Sequence, residues 1–355
     1  MRLLDRYIIG RVLKGTALGV AVLSVLMALF LYVNEQGWVG VGRYGNLQAA
    51  WHVLLTVPTA LPPFLPVAAL FGALMAMGQL SRGSELTVMR AAGVSVQRIG
   101  IAVLVAGLLL LPLAWLIGEH LAPPLARMAL ETRALERDGT ISLTPQGAWL
   151  RDGSTILRAD AGAGGGYMLF EFSADASLAA VARAGGAHAL PDGGWELEDV
   201  RGTRLAGDRL VAWNAAAQRL PFAVGPDFFS VASSRPDQMS LTELARTIDY
   251  LAANGQDTRR HRFAFWAGVA RLLAVPLAML LAVPLVMGRM RGAENSARMT
   301  VGLVLGLIWY IAQRMVESGA LAFELSPPLM ALLPTLLLAA AVLILLWRLP
   351  RISAA

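Results

Sequence analysis

The chain has 355 residues, 56% of them apolar and 15% charged, with a mean hydropathy of +0.58; a soluble domain has roughly 45–50% apolar and about 25% charged residues. The net charge of +6 rests on thirty basic residues, of which only Lys14 is a lysine, and they gather in short segments between apolar runs. That distribution excludes the aromatic-interleaved basic stripe of a nucleic-acid binder, and the absence of cysteine excludes disulfide frameworks and thiolate metal sites.

A basic N-terminus (Arg2, Arg6, Arg11, Lys14) precedes an uncharged apolar run over residues 15–33, near the roughly 20 residues a helix needs to cross a bilayer. The run is too long for the core of a signal peptide and lacks a small-x-small cleavage site, so it is expected to stay as a first span. Tyr32, Trp38 and Arg43 follow at its far end, where aromatic residues ordinarily anchor a helix at the membrane interface. A second span covers residues 53–80. Its first half holds Pro58, Pro62, Pro63 and Pro66, which permit kinks, and its second half holds Gly72, Ala73, Ala76 and Gly78, which permit close helix approach.

Between the second span and a third at residues 100–118 lies Ser84-Glu85-Leu86-Thr87-Val88-Met89-Arg90-Ala91-Ala92-Gly93. Ser84 is expected to N-cap a short helix, Glu85 to complement its dipole and Gly93 to end it. The helix is expected to expose Glu85, Leu86 and Met89 for docking in another protein's groove; a solvated turn is the alternative.

From residue 139 to 224 the apolar period changes to two. Short runs at residues 155–159, 167–172, 178–183, 195–200, 210–213 and 220–224 are bounded by Asp152-Gly153, Asp192-Gly193-Gly194 and Gly207-Asp208, which indicates a sandwich or jelly roll. Ser240-Leu241-Thr242-Glu243 is a capping box, and Leu244, Ile248 and Leu251 then recur at helical spacing up to an Asn254-Gly255 stop. Three more spans are expected at residues 263–288, 299–316 and 325–347.

Twelve basic residues flank one side of these six spans, at the termini and the 81–98 and 289–298 loops, against Arg43 alone in the short loops opposite. The positive-inside rule therefore places both termini in the cytoplasm and residues 123–261 outside. The expected fold is an α-helical membrane protein with six transmembrane helices, three plus three, and an inserted periplasmic β-jelly-roll-like domain. Its parts are residues 1–122 with the helix at 84–93, a β domain with its entry linker at 123–236, an amphipathic linker helix at 237–261, and the last three spans at 262–355.

Chemistry is sparse. A P-loop requires lysine within its glycine loop, and the sole lysine, in Arg11-Val12-Leu13-Lys14-Gly15-Thr16, has none, so the chain is not a Walker-type ATPase. His52, His120, His188 and His261 match no zinc spacing, and no G-x-S-x-G elbow occurs. Neither an enzyme activity nor a cofactor of its own is expected. Two arginines fall inside spans, Arg271 in the fourth and Arg314 in the fifth. A charge at that depth costs at least about 2.5–3.5 kcal/mol, so it usually faces a partner, a cavity or a ligand; pairing of Arg314 with Glu317 and snorkelling to headgroups are the alternatives.

These segments together resemble the LptF/LptG permeases of the lipopolysaccharide exporter. The likeness rests on Leu4-Asp5-Arg6-Tyr7-Ile8, on residues 65–74 leading into the 84–93 segment, on Gly118-Glu119-His120-Leu121-Ala122-Pro123, on Gln146-Gly147-Ala148-Trp149 with Asp152-Gly153, and on Gly255-Gln256-Asp257. The first and last of these point to the LptG branch. The resemblance implies a bacterial inner-membrane complex with LptF, two copies of the ATPase LptB, which bind ATP and magnesium, and the single-span LptC. Residues 84–93 would then be the coupling helix, through Ser84, Glu85, Leu86, Met89 and Arg90, and a cavity shared with LptF would take lipopolysaccharide past gates at spans one and five. Where some family members carry basic residues after the first span, this chain has Gly37 and Trp38. The expected lipid contacts are therefore Tyr32, Trp38, Arg43, Arg133, Arg271 and Arg314. A related lipid or lipoprotein permease and a non-transporting assembly scaffold remain the alternatives, distinguished by the lipid that co-purifies and by stimulation of a partner ATPase.

Overall fold

The computed structural model describes residues 3–138, 148–159, 166–173, 177–190, 195–206, 209–220, 235–289, 295–319 and 326–352. Helix α1 (Leu3–Glu35) is followed by α2 (Asn46–Arg82), the short α3 (Glu85–Ala91) and α4 (Val96–Leu116). Ser95 caps α4 by accepting the Arg98 N–H at 3.2 Å. A π turn, Ile117–Leu121, carries α4 into α5 (Ala122–Asp138). Pro123 and Pro124 cannot donate helical hydrogen bonds to residues 119 and 120, and the wide turn falls where those bonds would be.

After the sheet come α6 (Leu241–Ala253), α7 (Arg259–Pro284), α8 (Asn295–Gly319) and α9 (Pro327–Ile352). Five helical stretches among the described residues are long and apolar enough to cross a membrane: Leu3–Trp38, Asn46–Arg82, Val96–Arg133, Arg259–Gly288 and Pro327–Leu349. The segment expected as the fifth of six spans is the 25-residue α8, which carries Gln313, Arg314 and Glu317 and is not among those five.

Helix α2 is the axis of the bundle, with α1, α7 and α8 packed around it. Its contact with α1 is backbone to backbone. A Cβ at Gly72 would lie 2.3 Å from the Thr16 Cα and 2.5 Å from the Gly15 carbonyl, and one at Gly19 would lie 2.9 Å from the Ala68 carbonyl. The small residues expected to allow close approach do so here. Helix α8 sits on α2 through glycines that receive side chains, Gly306 meeting the Val67 side chain and Gly302 that of Leu74. Val12, Ala73, Met77, Val103, Met279 and Ala282 fill the centre.

Among the described residues seven strands form one antiparallel sheet: β1 (Ala148–Asp152), β2 (Thr155–Ala159), β3 (Tyr167–Phe172), β4 (Leu178–Ala184), β5 (Gly186–Ala189), β6 (Trp195–Ala206) and β7 (Arg209–Leu220). Strands β1 to β4 pair in succession. Strands β4 and β5 then lie end to end along β6, at residues 201–204 and 195–198, and β7 pairs with β6. Leu157, Leu169, Ala182, Trp195, Leu197 and Val200 bury one face, the alternation a half-covered antiparallel sheet requires. Strands β2 and β3 match the expected runs, β6 and β7 run longer, and β1 and β5 are additional. The expected run at 220–224 and the turns at 192–194 and 207–208 lie mostly outside the described residues.

Candidate functional site

The candidate residues fall in three places. The first is α3, at the end of the bundle away from the sheet. Gly93, with φ of +84°, closes the helix: its N–H donates to the Arg90 carbonyl and that of Val94 to the Met89 carbonyl, both at 3.0 Å, the paired bonds of a Schellman stop. The start differs from expectation. Ser84 takes a left-handed conformation (φ +58°) and its side chain caps nothing, because Gly83 and Ser84 turn the chain sharply out of α2. The facing differs too. Leu86 and Met89 are buried in the core of the bundle rather than exposed, since a seven-residue helix needs apolar anchors to stay docked. The outward surface is Ser84, Thr87, Val88 and Ala91, with Val88 65% exposed, and Glu85 and Arg90 lie half-buried at its rim. Glu85 accepts a hydrogen bond from the Tyr7 hydroxyl at 2.7 Å, and Arg11 donates to that same hydroxyl, which ties α3 to α1.

The second place is the sheet end of α1. Glu35, buried at 7% exposure, receives the Tyr44 hydroxyl at 2.9 Å and the Arg133 guanidinium at 3.2 Å, while His52 lies 3.9 Å away and contacts the Ala129 carbonyl through Nδ1. Burial, with the adjacent carboxylate, pushes the Tyr44 phenol above its ordinary pKa. Arg133 also stacks over the Trp38 ring, 5.0 Å from its centroid. The Arg43 backbone N–H donates to the Glu136 carbonyl, and the Tyr32 hydroxyl reaches Asn46 at 3.5 Å. Tyr32, Trp38, Arg43 and Arg133 are thus brought together around a knot joining α1, α2 and α5. Sequence reasoning missed Glu35 as its centre; the signal was an acid at the end of an apolar span, which needs a cation when buried.

The third place is a cavity of about 240 Å³ among α2, α4, α6, α7 and α8, lined by both Arg271 and Arg314. Arg314 is occupied, donating to Glu317 at 2.9 Å and to the Tyr310 hydroxyl at 3.4 Å, as its alternative reading anticipated. Tyr310 stacks on Phe64 of the proline-rich turn of α2, with centroids 4.4 Å apart. Arg271 has no ion pair among the described residues. Beside it Gln313, 6% exposed, has both its amide nitrogen and oxygen without a partner, a feature the sequence reading did not single out.

Helix α6 roofs this cavity through Leu241 and Leu244. The expected capping box is present: the Ser240 hydroxyl accepts the Glu243 N–H at 3.1 Å and Glu243 accepts the Ser240 N–H at 2.9 Å. Glu119, from the π turn, adds a second cap by accepting the Leu241 and Thr242 N–H groups, each at 3.0 Å, and Arg127 pairs with Glu243. At its other end α6 holds the β1–β2 hairpin. Tyr250 exchanges hydrogen bonds with the Arg151 backbone, and Asn254 accepts the Gly153 N–H at 3.2 Å.

Among the described residues no group of three metal-type side chains converges. What the arrangement offers is a short helix with an exposed outer surface at one end, and two cationic clusters at the other with a cavity of about 240 Å³ beside apolar helices. A model of the family described as lipopolysaccharide export system permease LptF/LptG matches residues 6–348. The lipopolysaccharide export system permease protein LptG of Escherichia coli (strain K12) is 29% identical over 357 residues, covering 99% of this chain and 98% of that protein. The protein of the same name from Haemophilus influenzae is 29% identical, covering 94% and 95%.

Proposed function

The chain belongs to the LptF/LptG family of lipopolysaccharide export permeases, and from that membership we propose that it is the LptG-side subunit of an ATP-driven complex with LptF, an LptB dimer and LptC. It is a multi-pass inner-membrane permease subunit. Its termini and α3 face the cytoplasm and its sheet faces the periplasm, where it continues a bridge toward LptC. ATP and magnesium are bound by the partner ATPase, and this chain converts the partner's movement into displacement of lipid.

The observation that carries the coupling is α3 itself. It is a short helix between two spans, anchored by Leu86 and Met89, presenting Val88 outward and linked by Glu85 to α1. A push on α3 therefore reaches α1 and the core beneath it directly. The lipopolysaccharide contacts we assign to this chain lie at the sheet end of α1, through Tyr32, Trp38 and Arg43, because Arg314 and Arg133 already hold carboxylates. The test is reconstitution of the purified complex in proteoliposomes, with release of lipopolysaccharide to an acceptor followed with and without ATP. ATP-dependent release in the wild type, lost on mutation of the α3 surface while the complex still assembles, is the expected result. Equal release with and without ATP would overturn it.

A further inference from the structure

The cavity beneath α6 is lined by a buried amide that no described residue satisfies and by an arginine with no ion pair among the described residues. Gln313 is more than nine-tenths buried with a free donor and a free acceptor, and leaving such an amide unpaired costs about 1–3 kcal/mol. Arg271 lines the same space, about 12 Å along α7 from Phe263, where the apolar run begins. The carboxylates around the cavity are already engaged: Glu317 with Arg314, Asp237 with Arg235, and Glu119 with the first N–H groups of α6. Among the described residues, Arg271 is thus a cation without an ion pair and Gln313 an amide without hydrogen bonds.

We propose that this cavity is a binding site for an anionic glycerophospholipid, its phosphodiester held by Arg271 and the Gln313 amide N–H while a headgroup hydroxyl donates to the Gln313 carbonyl. Guanidinium matches phosphate through a planar fork of donors, and the free acceptor on Gln313 calls for a ligand that also carries a donor, as a phosphoglycerol head does. Its walls include Pro62, Pro63, Leu65, Leu272 and Val275 of this chain. About 240 Å³ accommodates a headgroup and the start of its chains. Helix α8 packs on α2 and only lightly on α7, which leaves the acyl chains a lateral way out between α7 and α8. A lipid lodged there touches both Leu241 of α6 and the proline-rich turn of α2, so its presence bears on the roof that carries the sheet. The inference rests on the membrane-embedded reading above.

The full transporter complex is purified, exchanged into nanodiscs of phosphatidylcholine with or without phosphatidylglycerol, and its retained lipid is measured by native mass spectrometry. Wild type is expected to retain phosphatidylglycerol over phosphatidylcholine. Arg271→Gln and Gln313→Leu should each weaken that retention by about tenfold, the equivalent of one charge-assisted hydrogen bond, while Glu317→Gln leaves it in place. Gln313→Leu removes the unpaired amide and should melt no lower than wild type, so loss of lipid there is not loss of fold. Equal phosphatidylglycerol retention in wild type and both variants overturns the proposal. So does loss of co-purifying lipopolysaccharide alone, which would make the cavity a substrate subsite. A wild-type complex that carries variant-sensitive phosphatidylglycerol but never lipopolysaccharide supports the site and instead removes the export reading.

Discussion

The Arg133 guanidinium lies 3.2 Å from the Glu35 carboxylate, joining α5, which leads to the sheet, to the end of α1. Arg133 was expected as a lipid contact, yet its charge is already matched by a buried acid, and a buried pair loses most when one member is removed. Arg133→Gln should therefore destabilise the purified complex by about 3 kcal/mol and lower its melting temperature, whereas Arg43→Gln, altering an exposed side chain, should not. An unchanged melting curve for Arg133→Gln would return that guanidinium to lipid binding.

Gly72 has no room for a side chain, since its Cβ would fall 2.3 Å from the Thr16 Cα and 2.5 Å from the Gly15 carbonyl. Both obstacles are backbone, so α1 and α2 must separate to admit one. Gly72→Val should cost at least about 3 kcal/mol and abolish recovery of the assembled complex from membranes. Gly10→Ala meets nothing within 4 Å and should assemble normally. Recovery of Gly72→Val at the wild-type level would show that α1 does not pack here in the membrane.

Orientation is tested directly because the chain has no cysteine of its own. A cysteine at Ser154, in the exposed β1–β2 turn, should react with a membrane-impermeant maleimide on intact spheroplasts. One at Ser84 should react only after permeabilisation. Labelling of Ser84 in sealed cells would invert the topology.

On α3 the decisive side chain is Val88, 65% exposed. Val88→Asp should leave insertion intact while placing an unpaired charge in the docking surface, lowering lipid-stimulated ATPase activity of the complex by about tenfold or more. Glu85→Lys should do likewise and in addition lose the Tyr7 hydrogen bond. Normal turnover in both variants would mean the ATPase docks elsewhere.

The sequence made the long elements legible because their signals are local. Apolar runs of span length, the Ser240–Glu243 capping box, the Gly93 stop and the period-two runs of β2 and β3 each need only neighbouring residues to be recognised. What it could not show were relations set by packing between distant segments. Leu86 and Met89 read as an exposed pair until the bundle beneath them is seen, and a helical repeat cannot say which of its faces is covered. Glu35 and Gln313 look like ordinary polar residues at helix ends; only burial distinguishes a satisfied carboxylate from an unsatisfied amide. Strand β5 escaped because Gly186-Ala187-His188-Ala189 has little apolar alternation, its place being fixed by pairing with β6.

Helix α6 is gripped at both ends by groups from elsewhere in the chain, which makes it the rigid link between the cavity and the sheet. Glu119 and Arg127 fix its start, while Tyr250 and Asn254 hold the β1–β2 hairpin through hydrogen bonds to the Arg151 and Gly153 backbone. The Tyr250 ring also packs against the sheet core, so Tyr250→Phe keeps the apolar contact and deletes only the polar one. Combined with Asn254→Ala it removes the three hydrogen bonds of an exposed joint, together with that of the Asn254 amide to the Tyr250 carbonyl, at a cost of about 3 kcal/mol, too little to unfold either part. Hydrogen exchange should then rise at residues 151–153 while the amides of α6, capped independently, stay protected. If the sheet must be held in register with the cavity for lipid to pass onto it, this double variant should still extract lipopolysaccharide from the bilayer but hand it on more slowly. Faster exchange with unimpaired hand-over would show that the sheet needs no fixed angle to the bundle; unchanged exchange would show that the hairpin is held by other contacts.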